Sequence, residues 1–80
     1  MAKPKRKQSS KFPHRIIIGG AIRLRRNQSG LTQEEMAELV NLNPKYIGEV
    51  ERGEKIISIE ALLRVAKATK TPIKDFFRDL

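Results

Sequence analysis

Apolar residues recur along the chain at helical spacing. Ile18 and Ile22 lie one turn apart. Met36, Ala37 and Val40 form one stripe, and Ile47 and Val50 form another. Ile59, Leu62, Leu63 and Ala66 make a continuous face, and Ile73, Phe76, Phe77 and Leu80 crowd the last segment. The polar residues between these stripes read as helix boundaries. Thr32 is an N-cap, and Glu35 three residues later completes a capping box. Asn41 tolerates the left-handed conformation of a tight turn, Asn43 caps the next helix, and Pro44 takes its first position, where a missing N–H costs nothing. Gly53 ends that helix, and Ser58 starts another that runs to about Lys70. Thr71-Pro72 repeats the cap-then-proline start. A first helix from His14 or Arg15 to Ser29, stopped by Gly30, completes the expectation of an all-α chain of five helices. Its Gly19-Gly20 pair weakens it by roughly 1 kcal/mol per glycine, so packing or a close backbone approach should compensate.

The second and third of these helices are joined by only three residues, Asn41-Leu42-Asn43. Ala37 is small where a crossing helix must come close, and Leu42 can plug the angle between the two. The outer face of the third helix offers Asn43, Lys45, Tyr46 and Glu49, groups able to hydrogen-bond outward.

Composition narrows the possibilities. Eighty residues make one small domain with a modest core. There is no cysteine, so disulfides and thiolate metal sites are out, and His14 is the single histidine. No metal or cofactor is expected. No apolar run is long enough to span a bilayer and no signal-peptide pattern is present, so a cytoplasmic protein without a membrane partner is expected. The net charge of +8 is lopsided: nine Lys/Arg and no acid precede Asn27, whereas eight basic and nine acidic residues follow. A basic segment beside a near-neutral domain points to a polyanion, nucleic acid first and an anionic surface second. Residues 1–13, poor in apolar groups, read as a basic disordered arm, and 14–80 as the folded domain. The arm either tracks phosphates or is a solvated tail.

Gly30-Leu31-Thr32-Gln33-Glu34-Glu35-Met36-Ala37 through Tyr46-Ile47-Gly48-Glu49-Val50-Glu51-Arg52-Gly53 resembles the helix-turn-helix of the Cro/repressor (XRE-like) family. Ile18-Gly19 upstream and Pro72-Ile73-Lys74-Asp75-Phe76-Phe77 downstream extend the match to roughly residues 16–80. The resemblance implies a five-helix repressor-like DNA-binding domain with its recognition helix, 44–52, in the major groove. Asn43, Pro44, Lys45, Tyr46 and Glu49 are then the candidates at the bases. Asn43 reads adenine or serves only as a cap. Lys45 suits guanine, and Glu49 suits cytosine N4 if it is paired. Tyr46 touches a thymine methyl or a phosphate, and Pro44 offers only van der Waals contact where relatives often place a polar reader. Thr32, Gln33, Arg52, Lys55 and Arg23 are candidates for the DNA backbone, Gln33 beside the free N–H groups of its helix start.

The same resemblance implies an ion pair from Arg26 to Glu51, the alternative being an exposed Arg26 on a phosphate. Relatives carry a large aliphatic residue at the position of Arg25, which here falls one place earlier, at Leu24; Leu24 is then partly exposed and the Arg25 stem covers the gap. One of Phe76 and Phe77 fills the core. The other joins Ile73 and Leu80 at a homodimer interface, since relatives pair through this end.

The function expected is a sequence-specific transcriptional regulator, binding double-stranded DNA as a homodimer on a two-fold symmetric operator with no small-molecule ligand. Half-site centres would be roughly 34 Å apart. The competing reading is a helical interaction module whose basic arm binds RNA or an anionic surface. An enzyme is disfavoured: there is no cysteine nucleophile, no second histidine and no glycine-rich phosphate loop.

Overall fold

Each helix begins and ends on an identifiable chemical signal. The computed structural model describes residues 12–80. It contains α1 (Pro13–Gln28), α2 (Gln33–Val40), α3 (Pro44–Glu51) and α4 (Ile59–Ala68), followed by a 3₁₀ helix (Ile73–Phe77). The Thr32 hydroxyl accepts from Glu35 N–H at 3.0 Å, and the Thr32 N–H donates to the Glu35 carboxylate at 2.8 Å, closing the capping box. Asn41 ends α2 with φ of 58°, a left-handed conformation that lets Leu42 N–H reach the Ala37 carbonyl at 2.9 Å. The Ser58 hydroxyl caps α4 by accepting from Ala61 N–H at 3.1 Å.

Two elements differ from expectation. Pro13 is already the first residue of α1, because a proline fits that place. Of the expected arm, Phe12 precedes α1 at its N-cap and residues 1–11 lie outside the described residues. The expected fifth helix is a 3₁₀ helix, leaving four α-helices among the described residues. The segment is only five residues long and closes on i→i+3 geometry, with Asp75 N–H donating to the Pro72 carbonyl at 2.9 Å.

The core gathers Ile18 and Ile22 of α1, Met36 and Val40 of α2, Ile47 and Val50 of α3, Leu62 and Val65 of α4, and Phe76. Phe76 is 0% exposed and Phe77 37%. Phe76 is therefore the core residue, and its proposed place at a dimer interface is withdrawn. Helix α4 also departs from the expected face. It buries Ala61, Leu62, Val65 and Ala66, and turns Ile59 (70% exposed) and Leu63 (53% exposed) to solvent. Those two residues are one turn apart, so only part of the continuous face read from the sequence is buried and its other edge stays exposed.

Helix α1 packs across α3 and against the 3₁₀ helix, while α2 packs on both α3 and α4. The crossing of α1 and α3 is a backbone contact. A Cβ at Gly19 would run into the Val50 carbonyl oxygen and meet the Glu51 carbonyl oxygen at 3.0 Å. Gly53, at φ of 79°, leaves α3 in the left-handed region, and a Cβ there would stand 2.7 Å from Ile16 Cγ1. Glycines at these two places let α1 lie directly on α3 and fix where α3 points.

Candidate nucleic-acid interface

The first turn of α3 is both exposed and capped. Asn43 Oδ1 accepts from Lys45 N–H at 2.8 Å and Pro44 occupies the first helical position. One carbonyl lone pair is used in this way. The amide NH₂ of Asn43 has no protein partner among the described residues and stays available. Lys45 is exposed and forms no ion pair among the described residues. Asn43, Lys45, Tyr46, Glu49 and Lys55 line one shallow depression of about 240 Å³. The fold thus brings four of the five base-contact candidates together with Lys55. Pro44 is exposed beside them but does not line the depression.

Two of these groups are already engaged. The Tyr46 hydroxyl accepts from Ser58 N–H at 3.0 Å, so the half-buried ring is drawn toward the start of α4. Its O–H hydrogen remains free to donate outward. Glu49 pairs with Lys55 at 3.2 Å, Glu49 being the more sheltered of the two. That pairing meets the condition under which a carboxylate can face a phosphate-lined groove. The Tyr46 contact has no local sequence signature, because Ser58 lies twelve positions further along the chain.

Behind this surface lies a buried charge network. Arg26 Nε donates to Glu51 Oε2 at 2.7 Å and Arg26 Nη2 to Glu51 Oε1 at 3.0 Å, a two-pronged pair with both residues buried. Arg26 Nη1 also donates to the Leu31 carbonyl at 2.8 Å and to Asn27 Oδ1 at 3.2 Å. The hydrogen bonds that Arg26 donates to Glu51 raise the Arg26 pKa above its ordinary value, against the opposing effect of burial. Gln33 Nε2 donates to Glu51 Oε1 at 3.0 Å, a contact that sequence reasoning missed. One carboxylate therefore joins α1, α2 and the end of α3.

The remaining backbone candidates are spread around this network. Gln33 is half-buried at the first position of α2. Thr32 is committed to its capping box, with its O–H hydrogen free. Arg52 and Glu54 form an exposed pair at 2.9 and 3.3 Å. The hydrogen bond between them raises the Arg52 pKa and lowers that of Glu54. Arg23 is exposed on α1. Leu24 is exposed as expected, but the Arg25 guanidinium reaches Asp75 at 3.3 Å and ties α1 to the 3₁₀ helix.

Among the described residues, four α-helices present the capped start of one short helix, braced behind by a second, which is the arrangement of a helix-turn-helix. The described residues hold no cluster of three or more metal-binding side chains and no helix long and apolar enough to cross a membrane. The chain belongs to the helix-turn-helix family of XRE-type regulators (HTH_3), whose model matches residues 22–76. It is 39% identical over 57 residues to the control protein C.SmaI of Serratia marcescens, covering 71% of this chain and 68% of that one. Its fold superposes on the restriction-modification controller protein C.AhdI of Aeromonas hydrophila with a TM-score of 0.77 at 32% identity, covering 81% of this chain and 98% of the other. The clp gene regulator ClgR of Corynebacterium glutamicum superposes with a TM-score of 0.78 at 35% identity, over 82% of this chain and 70% of that one. Against some longer relatives the chain spans only 48% of their length.

Proposed function

We propose that this protein is a sequence-specific DNA-binding regulator that acts as a homodimer on a two-fold symmetric operator. The observation that carries the reading is the convergence of Asn43, Lys45, Tyr46 and Glu49 on one depression at the start of α3. Asn43, Lys45 and Tyr46 stand there as the first residues of a helix laid in the major groove would, with Glu49 one turn further on. Asn43 and Lys45 are the free donors and supply base readout to adenine and guanine. Pro44 adds a van der Waals contact. Thr32, Gln33, Arg52, Lys55 and Arg23 set the register on phosphates.

The dimer surface is drawn from the exposed apolar groups. Ile73, Phe77 and Leu80 are exposed on the last segment, and Ile56, Ile59 and Leu63 enlarge the set. Likeness to restriction-modification controller proteins supports a role in controlling transcription.

Selection of bound duplexes from a random DNA pool at physiological salt tests this. The expected result is a palindromic motif with half-site centres about one helical turn apart. Recovery of unrelated sequences, with affinity vanishing as salt rises, would overturn it, because a chain of net charge +8 binds any DNA when salt is low.

A further inference from the structure

Gly48 sits in the middle of α3, where glycine is the least favoured residue after proline. What covers it is informative. A Cβ at Gly48 would meet Arg52 Nη1 at 3.0 Å and Gln33 Oε1 at 3.5 Å. Two side chains assigned to the DNA backbone, one from the start of α2 and one from just beyond α3, therefore lie together over the same bare stretch of helix.

The way Gln33 lies there is dictated from the other side. A carboxylate only accepts hydrogen bonds, so Glu51 Oε1, at 3.0 Å, requires the NH₂ of Gln33 and not its carbonyl. Glu51 is itself held by two bonds from Arg26. The amide of Gln33 is thus turned with one N–H on Glu51, its carbonyl over Gly48, and its second N–H free. Gln33 is also the first residue of α2, where backbone N–H groups lack partners within the helix.

We propose that Gly48 and Glu51 are positioning residues for a single DNA phosphate. Glu51 sets the orientation of the Gln33 amide, and the missing Cβ of Gly48 lets Gln33 and Arg52 lie side by side. The second N–H of Gln33, the Arg52 guanidinium and the opening N–H groups of α2 then grip one phosphate. Arg52 exchanges Glu54 for the phosphate or holds both. This inference rests on the DNA-binding reading, and it gives Gly48 a role in the recognition helix that touches no base.

The test uses the full chain and the duplex recovered by selection. If the parent protein selects no operator, the DNA-binding reading has failed and this inference falls with it. If the parent binds, Gly48→Ala decides the inference alone. The alanine variant is expected to melt no lower than the parent, since alanine suits a helix better. Its operator affinity is expected to fall at least about tenfold, the worth of one charge-assisted hydrogen bond. Its salt slope is expected to flatten by about one as Arg52 leaves the phosphate. In a Gln33→Ala, Arg52→Ala background, adding Gly48→Ala is expected to change affinity less than about twofold. Parental affinity and salt slope in Gly48→Ala would overturn the proposal. So would a tenfold loss that persists without Gln33 and Arg52, since the new methyl would then be striking DNA itself. Side-chain ¹⁵N relaxation of Gln33 in the free parent protein serves if the alanine variant does not fold. An ordered amide supports the positioning, and a freely rotating one overturns it.

Discussion

Arg26 and Glu51 show how a charge can be buried in so small a domain. Isolated, either would be costly to desolvate. Together they satisfy each other twice, and the Leu31 carbonyl and Gln33 take up further hydrogen-bonding capacity. Arg26→Ala would leave Glu51 buried with only the Gln33 amide beside it. The expected cost is about 3–5 kcal/mol, measured by urea denaturation. A loss under about 1 kcal/mol would mean that water replaces the guanidinium at little cost. The raised Arg26 pKa contributes stability that is fully present below the unfolded value and lost only as pH climbs through the folded one, above the ordinary arginine range. The arginine therefore remains charged throughout neutral pH and does not make this pair a switch.

At the scale of elements, the direction of α3 is set by what α1 does not carry. Helix α1 meets the Val50 and Glu51 carbonyls through Gly19, with no side chain between them. Gly19→Ala is expected to push α1 off α3 and cost at least about 2 kcal/mol, because backbone atoms cannot turn aside as a side chain can. Thermal unfolding followed by circular dichroism measures it. Gly20→Ala is the control: a Cβ there meets nothing within 4 Å, so that variant should be no less stable than the parent. Equal effects at the two positions would remove the account of the crossing. The exposed polar groups at the start of α3 depend on this crossing, since α3 is held from behind by α1 and α2.

The whole molecule leaves much apolar surface uncovered for its size. Ile59 and Leu63 are exposed on α4, and Ile73, Phe77 and Leu80 on the last segment. Only Phe76 of that segment is spent on the core. Ile59→Asp with Leu63→Asp should leave the fold intact, because neither side chain is buried in the monomer. If α4 carries part of the dimer surface, the double variant is expected to sediment as a monomer where the parent is a dimer. Its operator affinity should then drop at least about tenfold, as each half-site binds alone. A variant that stays dimeric would assign pairing to Phe77 and Leu80 instead.

The sequence by itself determined the helices and the turn between α2 and α3. Thr32 with Glu35, Asn43 with Pro44, and Ser58 act on backbone groups within three residues of themselves, so their chemistry is complete in a local stretch. The family resemblance also pointed to Arg26 and Glu51, because a motif in register carries its pairings with it. Tertiary structure alone decided which apolar face of α4 is buried. Ile59, Leu62, Leu63 and Ala66 all satisfy helical spacing, and only the placement of α2 beside α4 separates them. It likewise chose Phe76 over Phe77, shortened the last element to a 3₁₀ helix, and spent the Tyr46 hydroxyl on Ser58 and the Gln33 amide on Glu51. Each of those outcomes depends on where a second element lies in space, and the periodicity of a single helix holds no record of that.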